Sequence, residues 1–267
     1  MSLVRCFSTL GCPELSLEET LALAAKHRID AVELRALGGT VELPAYLQAR
    51  YGSPEALARL VKAQPVRIAS FDTSWHLAGG APEEREAFRA FLPWAEALAV
   101  PWLRVFDGKG PLEQSAALAQ AAESVRWWRA VRRERGMRAD IMVETHDSLF
   151  TAAAIQQFQS AAPGTAILWD SHHTWRKGEE DPLVTWREIR GGVAHVHVKD
   201  SVAVASARHP FTYVLPGDGG FAIAALLDAL RADGFSGAVS LEWEKMWHPY
   251  LPPLDTALAT AAARRWW

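Results

Sequence analysis

The chain is poor in sulfur: among its 267 residues are two cysteines, Cys6 and Cys12, and four methionines. Two thiols near one strand are too few to staple a chain of this length, so they are expected reduced, buried and without chemistry of their own. Excess charge of one sign is lacking as well. The 28 Lys and Arg against 31 Asp and Glu leave a net charge of -3 with no long basic run. That balance argues against a surface that neutralises nucleic-acid phosphates, and towards small or neutral substrates. No segment runs eighteen apolar residues unbroken, and the start, MSLVRCFSTLGCPELS, has no apolar stretch behind a basic region. No membrane span and no secretory leader are expected, and the expected location is the cytoplasm. A phosphate-cradling turn is missing too, since VRCFSTLGCPE contains no G-x-G-x-x-G, which disfavours a doubly wound dinucleotide-binding sheet.

What is present is alternation. Apolar residues make up 49% and charged residues 22%, the balance of a globular chain with a sizeable core. Short apolar runs (VRCFST, AVELRA, VRIASFD, PWLRVFD, IMVETH, AILWD, VAHVHV and AVSLEWE) alternate with helical patterns. The helical patterns are SLEETLALAAKH, SPEALARLVKA, the stretch after PEERE, LEQSAALAQAAESVRWWRAVRRERG, SLFTAAAIQQFQSAA, DPLVTWREIRG, FAIAALLDALRADG and LDTALATAAARR. Ser16 with Glu19 has capping-box spacing, Ser53 and Asp181 each precede a proline at a first helical position, and Gly136, Gly191 and Gly234 stand where helices should stop. Eight strands and eight helices, in units of about 33 residues, predict one (β/α)₈ barrel domain spanning residues 1–267.

Four of the runs end on a polar residue: Glu144 in IMVETHD, Asp170 in AILWDSHH, His197 in VAHVHVKD and Glu242 in AVSLEWEK. These close the fifth to eighth strands, and a barrel gathers the C-terminal ends of its strands at one mouth. Three carboxylates and an imidazole brought to one point suit a divalent cation such as Mn²⁺ or Mg²⁺. An enlarged loop, roughly Ser201 to Gly220, precedes the last helix and strand.

The pieces VETHD, WDSHHTW, HVHVKD and SLEWE, in that order and with PGDGG at 216–220, resemble the xylose-isomerase-like superfamily of sugar isomerases and epimerases over essentially the whole chain. The resemblance implies that Glu144, Asp170, His197 and Glu242 hold one divalent ion, Mn²⁺ first, with Mg²⁺, Co²⁺ or Zn²⁺ as other choices. It also implies that His173, three residues after Asp170, touches substrate. DNA-repair members of the superfamily use several metals, additional His ligands and a basic groove, which this chain does not show. The expected reaction is proton transfer next to the carbonyl of a sugar or sugar phosphate, through an enediolate stabilised by the metal, with Glu144 and Glu242 as base and acid and His173 as the next candidate. A dehydratase of a keto-inositol or dehydroshikimate-like substrate shares the first step. An inactive sugar-binding barrel is the non-catalytic alternative.

Around these residues, Lys199 is expected to orient a substrate oxygen. Asp200 is expected to hold that lysine or to accept an imidazole N–H, the alternative for both being a rim ion pair. His146 and His172 are placed to meet sugar hydroxyls or to support the ligands, and His195 one layer deeper as a core histidine. Glu33, Arg35 and Arg104 form either a salt bridge inside the mouth or contacts to a polar substrate. Asp72, Ser74 and His76 are expected in a loop after the third strand. Of twelve tryptophans, Trp127 and Trp128 read as packing bulk, whereas Trp75, Trp175 and Trp247 fall in rim loops where a ring can stack on a sugar. Arg176 and Lys177 offer either a phosphate contact or a solvated charge pair. The terminal ARRWW is either an anchoring tail or part of a contact in a homo-oligomer. The expected partner is a small carbohydrate, not nucleic acid or membrane.

Overall fold

The computed structural model describes residues 3–110 and 115–266. Eight parallel strands close on themselves: β1 (Val4–Ser8), β2 (Ala31–Leu34), β3 (Arg67–Ala78), β4 (Trp102–Gly108), β5 (Asp140–Glu144), β6 (Ala166–Asp170), β7 (Val193–Val198) and β10 (Ala238–Leu241). The order round the barrel is β1-β10-β7-β6-β5-β4-β3-β2, with β1 in parallel register against both β10 and β2. This is the (β/α)₈ barrel that the alternation of runs predicts.

Strand alternation sorts the residues into two cores. Outward-facing Val32, Leu34, Val143, Ile167, Trp169, Val196, Val198, Val239 and Leu241 belong to the apolar layer beneath the helices. Trp169 stacks on Trp186 there, with ring centroids 5.9 Å apart. Inward-facing positions are markedly polar: Glu33, Ser70, Asp72, Arg104, His195, His197 and Ser240 are all buried. Burying charge in this way is costly unless each group is paired, so the polar interior has to be a connected network.

Ser16 and Glu19 form the capping box of α1 (Leu17–Lys26), and Ser53 and Asp181 cap α3 (Pro54–Lys62) and α9 (Pro182–Ile189). Gly136 and Gly234 adopt left-handed φ of 63° and 68° just past α6 (Ser115–Arg135) and α10 (Ile223–Ala232). Gly191 instead lies in a 3-10 turn after α9. The expected helical residues 112–114 fall outside the described residues.

The helices number more than eight. Eleven α-helices occur among the described residues, the others being α2 (Leu43–Tyr51), α4 (Pro82–Arg89), α5 (Leu92–Ala97), α7 (Ala152–Ala161), α8 (Ser171–Arg176) and α11 (Leu254–Ala263). Pro93, at the start of α5, separates it from α4, and α8 is a single short stretch capped by Asp170 itself, whose carboxylate accepts the N–H groups of His172 and His173. The enlarged loop contains an antiparallel hairpin, β8 (Asp200–Val202) with β9 (Thr212–Val214).

β3 is twelve residues long, so Asp72, Ser74, Trp75 and His76 lie within a strand and not in a loop after it. Its pairing with β4 shifts between Asp72 and His76, and Trp75 is consequently buried against Phe88 and Trp127 instead of facing the mouth. Trp128 is buried as packing bulk. Trp266 is buried too and its carbonyl accepts from Arg231, so this part of the C-terminal segment packs on the barrel and is not a free tail; Trp267 lies outside the described residues. Cys6 and Cys12 are free and buried. Among the described residues no helix is long and apolar enough to cross a membrane.

Candidate metal centre

The ends of β5, β6, β7 and β10 bring Glu144, Asp170, His197 and Glu242 together. One donor atom from each lies within 4.8 Å of the other three, and all four residues are buried. Three of these side chains carry a buried atom without a hydrogen-bond partner: Glu144 Oε2, Asp170 Oδ2 and His197 Nδ1. Charged groups stand close to two of them, with Arg104 Nε 3.1 Å from Glu144 Oε2 and Lys199 Nζ 2.8 Å from Asp170 Oδ2, but the angles are not those of hydrogen bonds. A buried polar atom left without a directed partner costs about 1–3 kcal/mol. Two carboxylate oxygens and an imidazole nitrogen without directed partners, with the Glu242 carboxylate beside them, are the donor set that a divalent cation takes, so the residues fit a metal.

His197 is held in orientation from behind. Its Nε2 lies 3.0 Å from Glu33 Oε2, leaving Nδ1 to face Glu242 Oε2 at 3.3 Å. Glu33 also meets His195 Nε2 at 3.1 Å and accepts the Ser240 hydroxyl. A carboxylate behind a ligating imidazole fixes its tautomer and strengthens it as a donor. Burial disfavours the Glu33 carboxylate, yet the charges of His197 and His195 outweigh burial and hold its pKa well below the usual range. Thus Glu33 does not pair with Arg35, two residues along. His195 is the buried core histidine expected one layer below His197.

Lys199 is almost fully buried, with its ammonium against Asp170, Glu242 and Glu244 Oε1, the last at 2.6 Å. Burial opposes its charge, but these carboxylates push its pKa well above the ordinary lysine value. Burial, with Glu242 and Glu144 nearby, raises Asp170 to about 6 in spite of Lys199 and His197. His173 donates from Nδ1 to Thr145 O at 3.0 Å, which leaves Nε2 as a lone pair 3.5 Å from Lys199 Nζ. Burial and the Lys199 charge push its pKa well below the ordinary imidazole value, so the ring is neutral. His146 is half-buried, with its ring centroid 5.0 Å from that of His173 and 4.7 Å from that of Phe106.

Other expected rim contacts are redirected. Asp200 meets neither Lys199 nor an imidazole: its carboxylate accepts the backbone N–H groups of Ser201, Gly217, Gly219 and Phe221, pinning the PGDGG turn to β8. Gly219 is required there, because a Cβ would collide with that carboxylate. His172 Nε2 meets Ser201 Oγ at 2.8 Å inside a box of Trp175, Phe211, Tyr213 and Phe221, which makes it a support and not a sugar contact. Arg176 lies over Trp175 and bonds Ser201, and Lys177 bonds His146 O at 2.7 Å, so neither is a solvated loop charge. Trp247 is half-buried beside Tyr250 and Arg208 at the edge of a cavity of about 540 Å³.

Two carboxylates that shape the mouth did not stand out in the sequence. Asp107, near the end of β4, accepts backbone N–H groups from His146, Asp147, Ser148 and Leu149 and so fixes the loop that carries His146. Glu244, two residues beyond Glu242, receives both Lys199 and the Tyr213 hydroxyl, the latter at 2.8 Å.

The fold and this donor cluster define a (β/α)₈ barrel with a candidate divalent-metal site at the C-terminal ends of its strands. Residues 21–267 match the family model described as xylose isomerase-like TIM barrel, and the chain belongs to that family. No curated protein sequence matches it. Among solved structures, it is similar to the probable 3-DHS dehydratase AsbF of Bacillus anthracis, with TM-score 0.77, 16% identity, and 97% of this chain and 98% of that one covered. It is also similar to IolI with a bound zinc atom, at TM-score 0.74, 18% identity and coverages of 98% and 96%. A third is the 3-keto-D-glucoside 4-epimerase YcjR of E. coli, at TM-score 0.71, 15% identity and 99% coverage of both chains. At these identities the likeness carries the fold alone.

Proposed function

We propose that the protein is a divalent-metal-dependent isomerase or epimerase of a small sugar or sugar phosphate, acting by proton transfer beside a carbonyl. The observation that carries this reading is the cluster of Glu144, Asp170, His197 and Glu242 with three of its buried donor atoms unpartnered. The zinc bound in IolI supports a divalent ion, and the epimerase named above supports the reaction class. Mn²⁺ is the first choice for a set dominated by carboxylates. When bound, the ion would polarise the substrate carbonyl and offset the charge that develops as the neighbouring carbon loses its proton.

The chain's own residues supply the rest. Glu242 takes the proton, its carboxylate already ionised: burial opposes that form, but the charges of His197 and Lys199 hold its pKa well below the usual range. Glu144 gives the carbon a proton that it has taken up from solvent, yielding the isomer or epimer, and Glu242 releases the abstracted proton to solvent to reset the site. Neutral His173 offers Nε2 to a substrate hydroxyl, Lys199 steadies a developing oxyanion, and His146, with its ring 5.0 Å from that of His173, contacts the substrate beside it.

Elemental mass spectrometry of the wild-type protein and Glu242→Gln tests the site. About one equivalent of divalent metal, lost or sharply weakened in the variant, is expected. Absence of any divalent ion from the wild type, even after incubation with Mn²⁺, would sink the metal mechanism.

A second reading is favoured by the contact of Lys199 with Glu242. An ammonium beside the base can protonate a leaving β-hydroxyl, which would make the protein a dehydratase of a keto-inositol or dehydroshikimate-like compound. Growth of an enone absorbance on incubation with such ketones separates the two reactions.

A further inference from the structure

Among the described residues, one arginine of the mouth, Arg35, has no carboxylate within ion-pair distance. Arg35 follows β2 directly, two residues after the inward-facing Glu33, so alternation turns it inward too, at a level above Glu33 and across the barrel from β6. It is 7% exposed. Among the described residues no carboxylate lies within 4.0 Å of its guanidinium, and its side chain makes one hydrogen bond, from Nη1 to Asp72 O at the long distance of 3.4 Å. The nearby acid is turned elsewhere, since Asp72 accepts the Ser70 hydroxyl at 2.7 Å.

The other arginines of the mouth behave differently. Arg104 stands 3.1 Å from Glu144, donates to Thr73 O at 3.0 Å and lies 4.0 Å from the centre of the Phe106 ring. Arg176 bonds Ser201 twice and lies over Trp175. Arg35 has five N–H donors and uses one. Burial and the neighbouring Arg104 charge lower its pKa to about 10, so the guanidinium remains charged at neutral pH beside a second cation. Asp72, Glu144 and Glu42 favour the charge from a distance, but none pairs with it. A buried cation without a contacting anion is destabilising, and its planar fork matches two oxygens of a carboxylate or phosphate.

We infer that Arg35 binds an anionic substituent of the substrate, so that the compound turned over is an acidic sugar or cyclic ketone (carboxylate- or phosphate-bearing) and not a neutral one. This rests on the proposed proton-transfer reaction for the identity of the rest of the molecule, but the anion contact is separate from the four metal ligands.

Calorimetric titration of the metal-loaded protein with two matched pairs tests it: quinate against myo-inositol for a carboxylate, and glucose 6-phosphate against glucose for a phosphate. The wild type is expected to bind one acidic probe about tenfold or more tightly than its neutral counterpart, and the pair that shows the difference identifies the anion. Arg35→Gln should bring that acidic probe down to the level of the neutral one at unchanged metal content, and Arg35→Lys should keep part of the difference. Equal binding of acidic and neutral probes by the wild type, no measurable binding of either acid at millimolar concentration, or a preference that survives in Arg35→Gln overturns the inference. Metal content is read separately. Loss of the metal reading with the anion preference intact would remove the proposed reaction and leave the role of Arg35 standing.

Discussion

A single oxygen of Glu242, Oε2, lies 3.3 Å from Nδ1 of His197 and also takes the ammonium of Lys199. The lysine therefore stands in contact with the carboxylates proposed to hold the metal. Replacing it by methionine removes the counter-charge of Asp170, Glu242 and Glu244 together, and breaking a buried pair costs about 3–5 kcal/mol. Without metal, Lys199→Met should melt roughly 10 °C below the wild type. With a nearby cation gone, Mn²⁺ should raise its melting temperature more than it raises that of the wild type. Thermal melts with and without Mn²⁺ check this, and an equal metal-induced shift in the two proteins would contradict it.

Glu33 reaches the candidate metal site through the far nitrogen of His197. Its replacement by glutamine keeps the shape but weakens the imidazole as a donor. Glu33→Gln is expected to lower metal affinity about 10–100-fold, measured by competition with a chromophoric chelator. Unchanged affinity would mean that Glu33 serves packing alone.

Asp107 holds four consecutive backbone N–H groups, the closest being that of Leu149 at 2.7 Å. In Asp107→Asn an amide NH₂ competes for that space. A loss of about 2–4 kcal/mol is expected, together with faster amide hydrogen exchange confined at first to residues 146–149. Metal content should stay the same, because none of the four ligands is touched.

Glu84 accepts the backbone N–H of His76 at 2.9 Å, the ring Nδ1 of His76 at 3.0 Å and the ammonium of Lys109 at 2.8 Å. Burial alone would raise its pKa, but these donors outweigh burial and bring it down to about 2 from an ordinary value of 4.5. A folded-state value below the unfolded one means that the stabilisation is fully present above about pH 4.5 and is lost as the pH falls towards 2. Solvent screening of this partly exposed group reduces its size to about 1–2 kcal/mol. In urea melts, Glu84→Gln should be weaker than the wild type at pH 7, with a gap that closes across this acid window. A gap independent of pH would rule the carboxylate charge out as its cause.

The barrel and the four ligand candidates could be read from the sequence because a polar residue ending an apolar run is conspicuous and the repeat places those ends at one rim. Asp107 shows the same pattern in PWLRVFD, but nothing local tells whether such a carboxylate will meet a cation or a row of backbone amides. Asp200 was misplaced for a reason that alternation supplies: with Lys199 pointing inward, its neighbour must point away. The same rule, taken one step beyond Glu242, marks Glu244 as inward-facing. The shift between β3 and β4 that buries Trp75, and the three-residue strands of the β8–β9 hairpin, depend on contacts between distant segments and leave no local periodicity. Of the two roles open to Glu33 and Arg35, a salt bridge between them does not form, because two histidines from β7, more than 160 positions away, reach Glu33 first.

The ligand candidates occupy one continuous arc of strands, β5, β6, β7 and β10, while Arg35, Asp72 and Arg104 stand at the end of β2, on β3 and on β4. The two arcs come from different stretches of chain, residues 140–242 and 31–108. Descent can therefore revise one without the other: substitutions in the earlier stretch can change the proposed anion contact while the four candidate metal ligands are inherited intact. A chimaera joining the first half of one relative to the second half of another would keep the candidate ligands of the latter and take the anion preference of the former.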